Sequence, residues 1–209
     1  MPKQEAPLRQ LENFLPPGSY DAVEKFLYTY KIHLTITRRR NTILGDYRYK
    51  TMSQNHRISI NGNLNTFAFL ITLIHEVAHL LTFEQFGHKV AAHGREWKSI
   101  YTGLLKEFLE KKIFPKDIEN ELIRALTNPA ASSCAEEDLM RVLRKYDKNK
   151  DEIRFVEEIP LDGLFMLEDN RVFKRGRKQR KRYECTEVKS GRIYLFSPVH
   201  EVKLYNEHS

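Results

Sequence analysis

Two rhythms of apolar residues divide the 209-residue chain. Up to about residue 150 the long apolar stretches recur at helical spacing. From Ile153 onward they shorten to strand-like runs separated by turn pairs such as Asp169-Asn170 and Ser190-Gly191. In the first part, "DAVEKFLYTY" (21–30) carries an apolar stripe of Phe26, Leu27 and Tyr30, and Asp21 followed by Glu24 predicts a capping box. "IHLTIT" (32–37), "DYRYKTM" (46–52) and "HRISIN" (56–61) alternate apolar with polar residues or are rich in aromatics, which predicts three strands. Turn residues Asn41, Gly45 and Asn55 between them make an antiparallel meander the economical expectation.

An almost unbroken apolar run, "FAFLITLIHEVAHLL" (67–81), predicts a helix opened by Asn65 or Thr66 and stopped at Phe86-Gly87. A second helix is expected from near Gly94, with Trp97, Ile100 or Tyr101, Leu104 and Phe108 at helical spacing, ending before Pro115. Helices are also expected over 117–126 and 133–146, the latter with Ser133 and Glu136 as a capping box. The later runs "GLFMLE", "RVFKR", "RYECTEV", "RIYLFS" and "HEVKLY" predict a small all-β appendage. The expected fold class is α+β: a small antiparallel sheet packed on the apolar helix and further helices over 1–150, then the β-rich appendage over 151–209.

Composition narrows the class. With 41% hydrophobic and 30% charged residues the chain reads as an ordinary soluble folded protein. The apolar run contains His75, Glu76 and His79, too short and too polar a stretch to span a bilayer, so a buried core helix is expected and no membrane partner. The N-terminal stretch lacks the pattern of a secretory signal. Only Cys134 and Cys185 occur, with no CxxC pair, which argues against a disulfide framework or a cysteine zinc cluster. A reducing, cytoplasmic location is expected, with nucleoid association open.

Charge is uneven. The chain is formally +7, yet "RVFKRGRKQRKR" (171–182) holds eight Lys or Arg in twelve residues, and without them the remainder is −1. Within this run Lys174, Arg175, Arg177, Lys178, Arg180, Lys181 and Arg182 are candidate phosphate contacts. Phe173 and Tyr183 beside them are candidates for stacking on unpaired bases. A solvated hairpin turn is the simpler reading of the same run. Arg38, Arg39 and Arg40 form a smaller basic cluster at a strand end.

The chemistry concentrates in "HEVAHLLTFEQFGHKVAAHG" (75–94), which holds four of the eight histidines. At 3.6 residues per turn His75 and His79 differ by about 40° around the helix, so both can chelate one ion. Glu76 is rotated away from them and is placed to act on a water at the ion's open position, the role of a general base in zinc peptidases. A catalytic zinc normally takes a third protein ligand. A metzincin would need Gly at 82 and His at 85, where this chain has Thr82 and Gln85. Glu96, Glu107 or Glu110 could serve. His93 is the better candidate, separated from His79 by thirteen residues and just before the next helix, and His88 is a weaker one. Arg95 and Tyr101 lie close enough in sequence to be guesses for stabilising an oxyanion.

"HEVAHLLTFEQFG" and "HGREWK" together resemble the SprT-like family, which includes the bacterial SprT proteins and the Spartan proteases. "RRRNTILGDYRY" and "ISING" upstream are similar to the family's sheet, and the resemblance covers roughly residues 14–115. It implies one Zn2+ ion held by His75, His79 and His93, with Glu76 as the catalytic glutamate. It further implies a zinc endopeptidase acting on proteins associated with or crosslinked to DNA, with single-stranded or damaged DNA as a partner. Many relatives end in a zinc ribbon with paired cysteines, whereas the tail here has Cys185 alone and reads as a ribbon-like region with no cysteine zinc site. Two other readings stay open: a nucleic-acid-binding module whose zinc only braces the fold, and a hydrolase of small peptides.

Overall fold

The computed structural model describes residues 8–40, 43–126, 134, 136–148 and 153–205. The chain divides into two compact units, Met1–Leu143 and Arg144–Ser209. Both are of the expected kind: helices dominate the first and strands the second, an α+β protein.

The first unit opens with a 3-10 turn (Leu8–Phe14) and α1 (Tyr20–Thr29). The expected capping box at Asp21 is not formed. Ser19 is the N-cap, with its hydroxyl donating to the Pro16 carbonyl at 2.7 Å, and Glu24 accepts from the Tyr20 hydroxyl at 2.9 Å. Asp21 instead sits in the first turn, where its charge meets the positive end of the helix dipole.

β1 (His33–Thr37), β2 (Gly45–Arg48) and β3 (Arg57–Asn61) form the sheet, but not as a meander. Their order is β1-β3-β2, with β1 parallel and β2 antiparallel to β3. The reason lies in the crossing segment after β1. Asn61 donates from Nδ2 to the carbonyls of Arg40 and Ile43, while Arg40 donates to Asn61 Oδ1 at 2.7 Å and to Ser59 Oγ at 2.9 Å. These bonds carry the chain over the end of β3 and set β2 down on its far side. β3 becomes the central strand, with Ile58 and Ile60 fully buried. The turn residue Asn41 lies outside the described residues.

α2 (Thr66–Phe86) is capped as expected: Asn65 Oδ1 accepts from the Ala68 amide at 2.9 Å, and Gly87 ends the helix at φ 60°, a left-handed conformation natural to glycine. By length and composition this helix could cross a membrane, yet 72% of its most apolar window is buried in the unit. It lies against β2, β3 and α3 (Arg95–Glu110). Val23, Phe26 and Leu27 of α1 meet Leu73, Ile74 and Val77 of α2 around a small apolar cavity. Of these, Val23, Leu27, Leu73, Ile74 and Val77 are buried, and each buried aliphatic side chain contributes about 1.5–3 kcal/mol. α2 is thus held on several sides, a rigid mount for whatever its side chains carry. α4 (Lys116–Ala125) and α5 (Glu137–Arg144) follow, while the capping residue expected at Ser133 lies outside the described residues.

The second unit is a six-stranded sheet in the order β4-β9-β5-β6-β7-β8. Its strands are β4 (Arg154–Phe155), β5 (Leu164–Met166), β6 (Val172–Gln179), β7 (Arg182–Glu187), β8 (Ile193–Phe196) and β9 (Glu201–Leu204). Phe165, Phe173, Tyr183, Cys185 and Phe196 form its core with Val156, Ile159 and Val202.

Candidate metal centre

α2 turns His75 and His79 to one side, and the chain reversal after Gly87 returns His93 to them just before α3. One ligand atom from each of the three lies within 4.8 Å of the other two. Ring centroids are 5.0 Å apart for His75 and His79, 4.6 Å for His79 and His93, and 5.4 Å for His75 and His93. The Nε2 atoms of His75 and His79 face each other at 3.3 Å. Two nitrogens on one tetrahedral zinc, each about 2.0–2.1 Å from the ion, are separated by about that distance. Nε2 of His93 is buried with no hydrogen-bond partner. The residues present therefore fit a metal ion.

Electrostatics point the same way. Burial, then the neighbouring imidazoles, push the His75 pKa down to about 3, burial and His93 push that of His79 down to about 4, and burial lowers that of His93. All three rings are neutral at neutral pH, with lone pairs free for a cation. Among the described residues no His, Cys, Asp or Glu joins them as a fourth ligand. His88 packs on Tyr49 and Phe83 instead, Glu107 pairs with Lys111, and Glu96 lines a surface cleft with Arg95. Arg95 is thereby placed in that cleft, whereas Tyr101 is buried with its ring 5.5 Å from His75.

Glu76 is 5% exposed, and burial, reinforced by Asp46 and opposed by Arg40, raises its pKa to about 8. A dication held by the three imidazoles would oppose that shift and favour the ionised carboxylate. Gly45 is the residue that makes room for Glu76. A Cβ at this position would stand 2.6 Å from Glu76 Oε1 and 2.7 Å from Thr72 Cγ2. The sequence marks Gly45 as a turn residue, and its close approach to the helix is visible only in the fold. Gly45→Ala is expected to displace the Glu76 carboxylate and cut any hydrolysis by about tenfold or more, with metal content unchanged. Undiminished hydrolysis by Gly45→Ala would contradict this.

Without metal these groups make folding pH-dependent in two opposite senses. Glu76 binds its proton more tightly folded than unfolded, at about 8 against 4.5, so its contribution is full below pH 4.5 and disappears as pH rises toward 8. His75 and His79, at about 3 and 4 against 6.5, act below pH 6.5, where the unfolded chain takes up protons and stability falls as pH falls. Melting in chelator between pH 6.5 and 9 isolates the glutamate: Tm should fall with pH in the wild type and stay level in Glu76→Gln. Equal slopes would show that Glu76 is not the titrating group.

Aromatic rings surround the three imidazoles. Trp97 has its centroid 4.7, 5.2 and 4.8 Å from those of His75, His79 and His93, and Tyr101 stacks on Trp97 at 4.9 Å. Tyr47 of β2 lies near-parallel to His79 at 6.5 Å. Sequence reasoning places Trp97 in an apolar stripe and gives Tyr47 no role. The period-two facing of Gly45, Tyr47 and Tyr49 toward α2 is the signal that would have found the latter.

The basic run forms β6, the turn after it and the start of β7. Arg177, Lys178, Arg180, Lys181 and Arg182 are exposed there. Lys174 pairs with Asp162 at 2.8 Å, and Arg175 lies over the Tyr183 ring at 4.2 Å. The expected stacking platform is overturned: Phe173 is fully buried and Tyr183 is 8% exposed, because both rings belong to the β-sheet core. β3 is paired on both sides and so has no free edge for an added strand. β2 is the edge strand beside α2.

Residues 20–116 match the family model described as SprT-like, so the resemblance seen in the sequence holds over that segment. No curated protein and no solved structure matches the chain.

Proposed function

With a SprT-like segment as the premise, we propose that this chain is a zinc-dependent endopeptidase acting on proteins associated with or crosslinked to DNA. The observation that carries the reading is the group of three neutral imidazoles with no fourth protein ligand among the described residues and a buried carboxylate next to it in sequence. Structural zinc sites are closed by four protein ligands, whereas catalytic ones leave a position for water.

His75, His79 and His93 would hold the ion, which when bound acidifies water and polarises a carbonyl. Glu76 accepts the proton of the attacking water and delivers it to the leaving amine. β2 offers its free edge to an extended polypeptide, and main-chain pairing there gives little sequence selectivity. The exposed cations of the β6–β7 turn attract phosphates as point charges, without base stacking.

Zinc-loaded protein is expected to cleave a casein-type substrate, to stop on chelation, and to work faster with single-stranded DNA. Replacing Arg177, Lys178, Arg180 and Lys181 by Ala should abolish that stimulation and flatten the salt dependence of DNA binding by about 3 in log–log slope. Salt-sensitive DNA binding with no cleavage would instead favour a binding module with a structural zinc. Cleavage of short peptides indifferent to these replacements would favour a small-peptide hydrolase.

A further inference from the structure

Metal-binding histidines are usually oriented by a hydrogen bond from their outer ring nitrogen to a carboxylate or carbonyl. The first ligand here has none: Nδ1 of His75 is buried without a partner. Ring packing takes over that task. Trp97 touches all three imidazoles from α3, and among the described residues Tyr47 adds a further ring beside His79, presented by β2 at an interplanar angle of 4°.

Tyr47 is itself tied down by a chain of polar contacts. Its hydroxyl lies 2.9 Å from Nδ1 of His56, a residue only 2% exposed, and Nε2 of His56 lies 3.3 Å from Glu84 Oε1. A carboxylate only accepts, so Nε2 of His56 carries the proton and Nδ1 accepts from Tyr47. Lys50 Nζ pairs with the same Glu84 oxygen at 2.9 Å. Glu84 belongs to α2, five residues beyond His79. The contacts thus close a circuit from α2 through Glu84, His56 and Tyr47 back to α2 at His79, and the Tyr47 ring is registered against the very helix that carries the ligand.

We propose that Tyr47 is a positioning residue for His79, locked by the His56–Glu84 clasp, and that it sets the affinity and geometry of the metal centre. This rests on the metal-centre reading above. Tyr47 acts through His79 and touches no substrate in this role.

The test measures zinc affinity of the full chain by competition with a chromophoric chelator, together with the visible spectrum of the Co2+-substituted protein. Tyr47→Leu should weaken zinc about tenfold or more, the cost typical of losing an outer-shell partner, and should alter the Co2+ bands. Tyr47→Phe, which keeps the ring and loses the bond to His56, should fall between Tyr47→Leu and wild type. Tyr49→Leu is the control: Tyr49 stacks on Phe83 of the same helix at 5.0 Å, so its loss should lower Tm and leave zinc affinity alone. In the Tyr47→Leu background His56→Gln should add no further loss of affinity. Wild-type affinity and spectrum in Tyr47→Leu, or an equal loss in Tyr49→Leu, would overturn the proposal. If Tyr47→Leu does not fold, Tyr47→Phe and His56→Gln carry the test, and wild-type affinity in both overturns it. A wild-type chain that binds no zinc overturns the metal-centre reading itself, which separates the two failures.

Discussion

Glu76→Gln should lose peptide hydrolysis by about a thousandfold, in the middle of the range for removing a general acid–base group, while still binding one zinc per chain. The amide has the shape of the carboxylate and cannot take a proton at neutral pH. Retention of metal is expected because Glu76 stands outside the group formed by His75, His79 and His93. The substitution also removes a buried carboxyl group whose ionisation without metal is opposed by burial and by Asp46, so the chelated variant should fold at least as well as the wild type. Full activity in Glu76→Gln would dismiss it as the base. Loss of zinc along with activity would make it a ligand instead.

His93→Ala is expected to cost more metal affinity than the roughly 10–100-fold that follows loss of an outer-shell partner, because it removes one of three donors outright. The stabilisation that zinc gives the wild type, read as the fall in Tm on chelation, should shrink in the variant, since a ligand stabilises only as far as it binds. His88→Ala supplies the comparison. It is an imidazole in the same loop but packed on Tyr49 and Phe83, and its removal should leave zinc affinity unchanged. Equal affinity in wild type and His93→Ala, or a large loss in His88→Ala, would reassign the third ligand.

The parts of this protein that could be read from its sequence are those set by local rules. α2 announces itself through an apolar run between Asn65 and Gly87, and the i, i+4 spacing of His75 and His79 needs only the helical repeat. The strands of the second unit follow from alternation. Strand order did not, because β3 becomes central only through the long-range bonds of Arg40 and Asn61, and no alternation pattern encodes which neighbours a strand will take. The start of α1 differs for a smaller reason: Asp21 has the right residue type for a cap, yet the turn at Pro16 engages Ser19 first. The charges beside Phe173 and Tyr183 suggest available rings, but their own alternation with Lys174 and Glu184 puts them on the inner face. Tyr47, Gly45 and Trp97 acquire their roles only when β2, α2 and α3 converge, so their place around the imidazoles is a property of packing.

Diffraction data collected on either side of the zinc absorption edge, from crystals of the purified chain, test the central claim most directly. The expected result is a single anomalous peak about 2.0–2.1 Å from one nitrogen each of His75, His79 and His93, with its remaining side open to solvent next to Glu76. A map with no peak there, or a peak closed off by a fourth protein ligand, would contradict it.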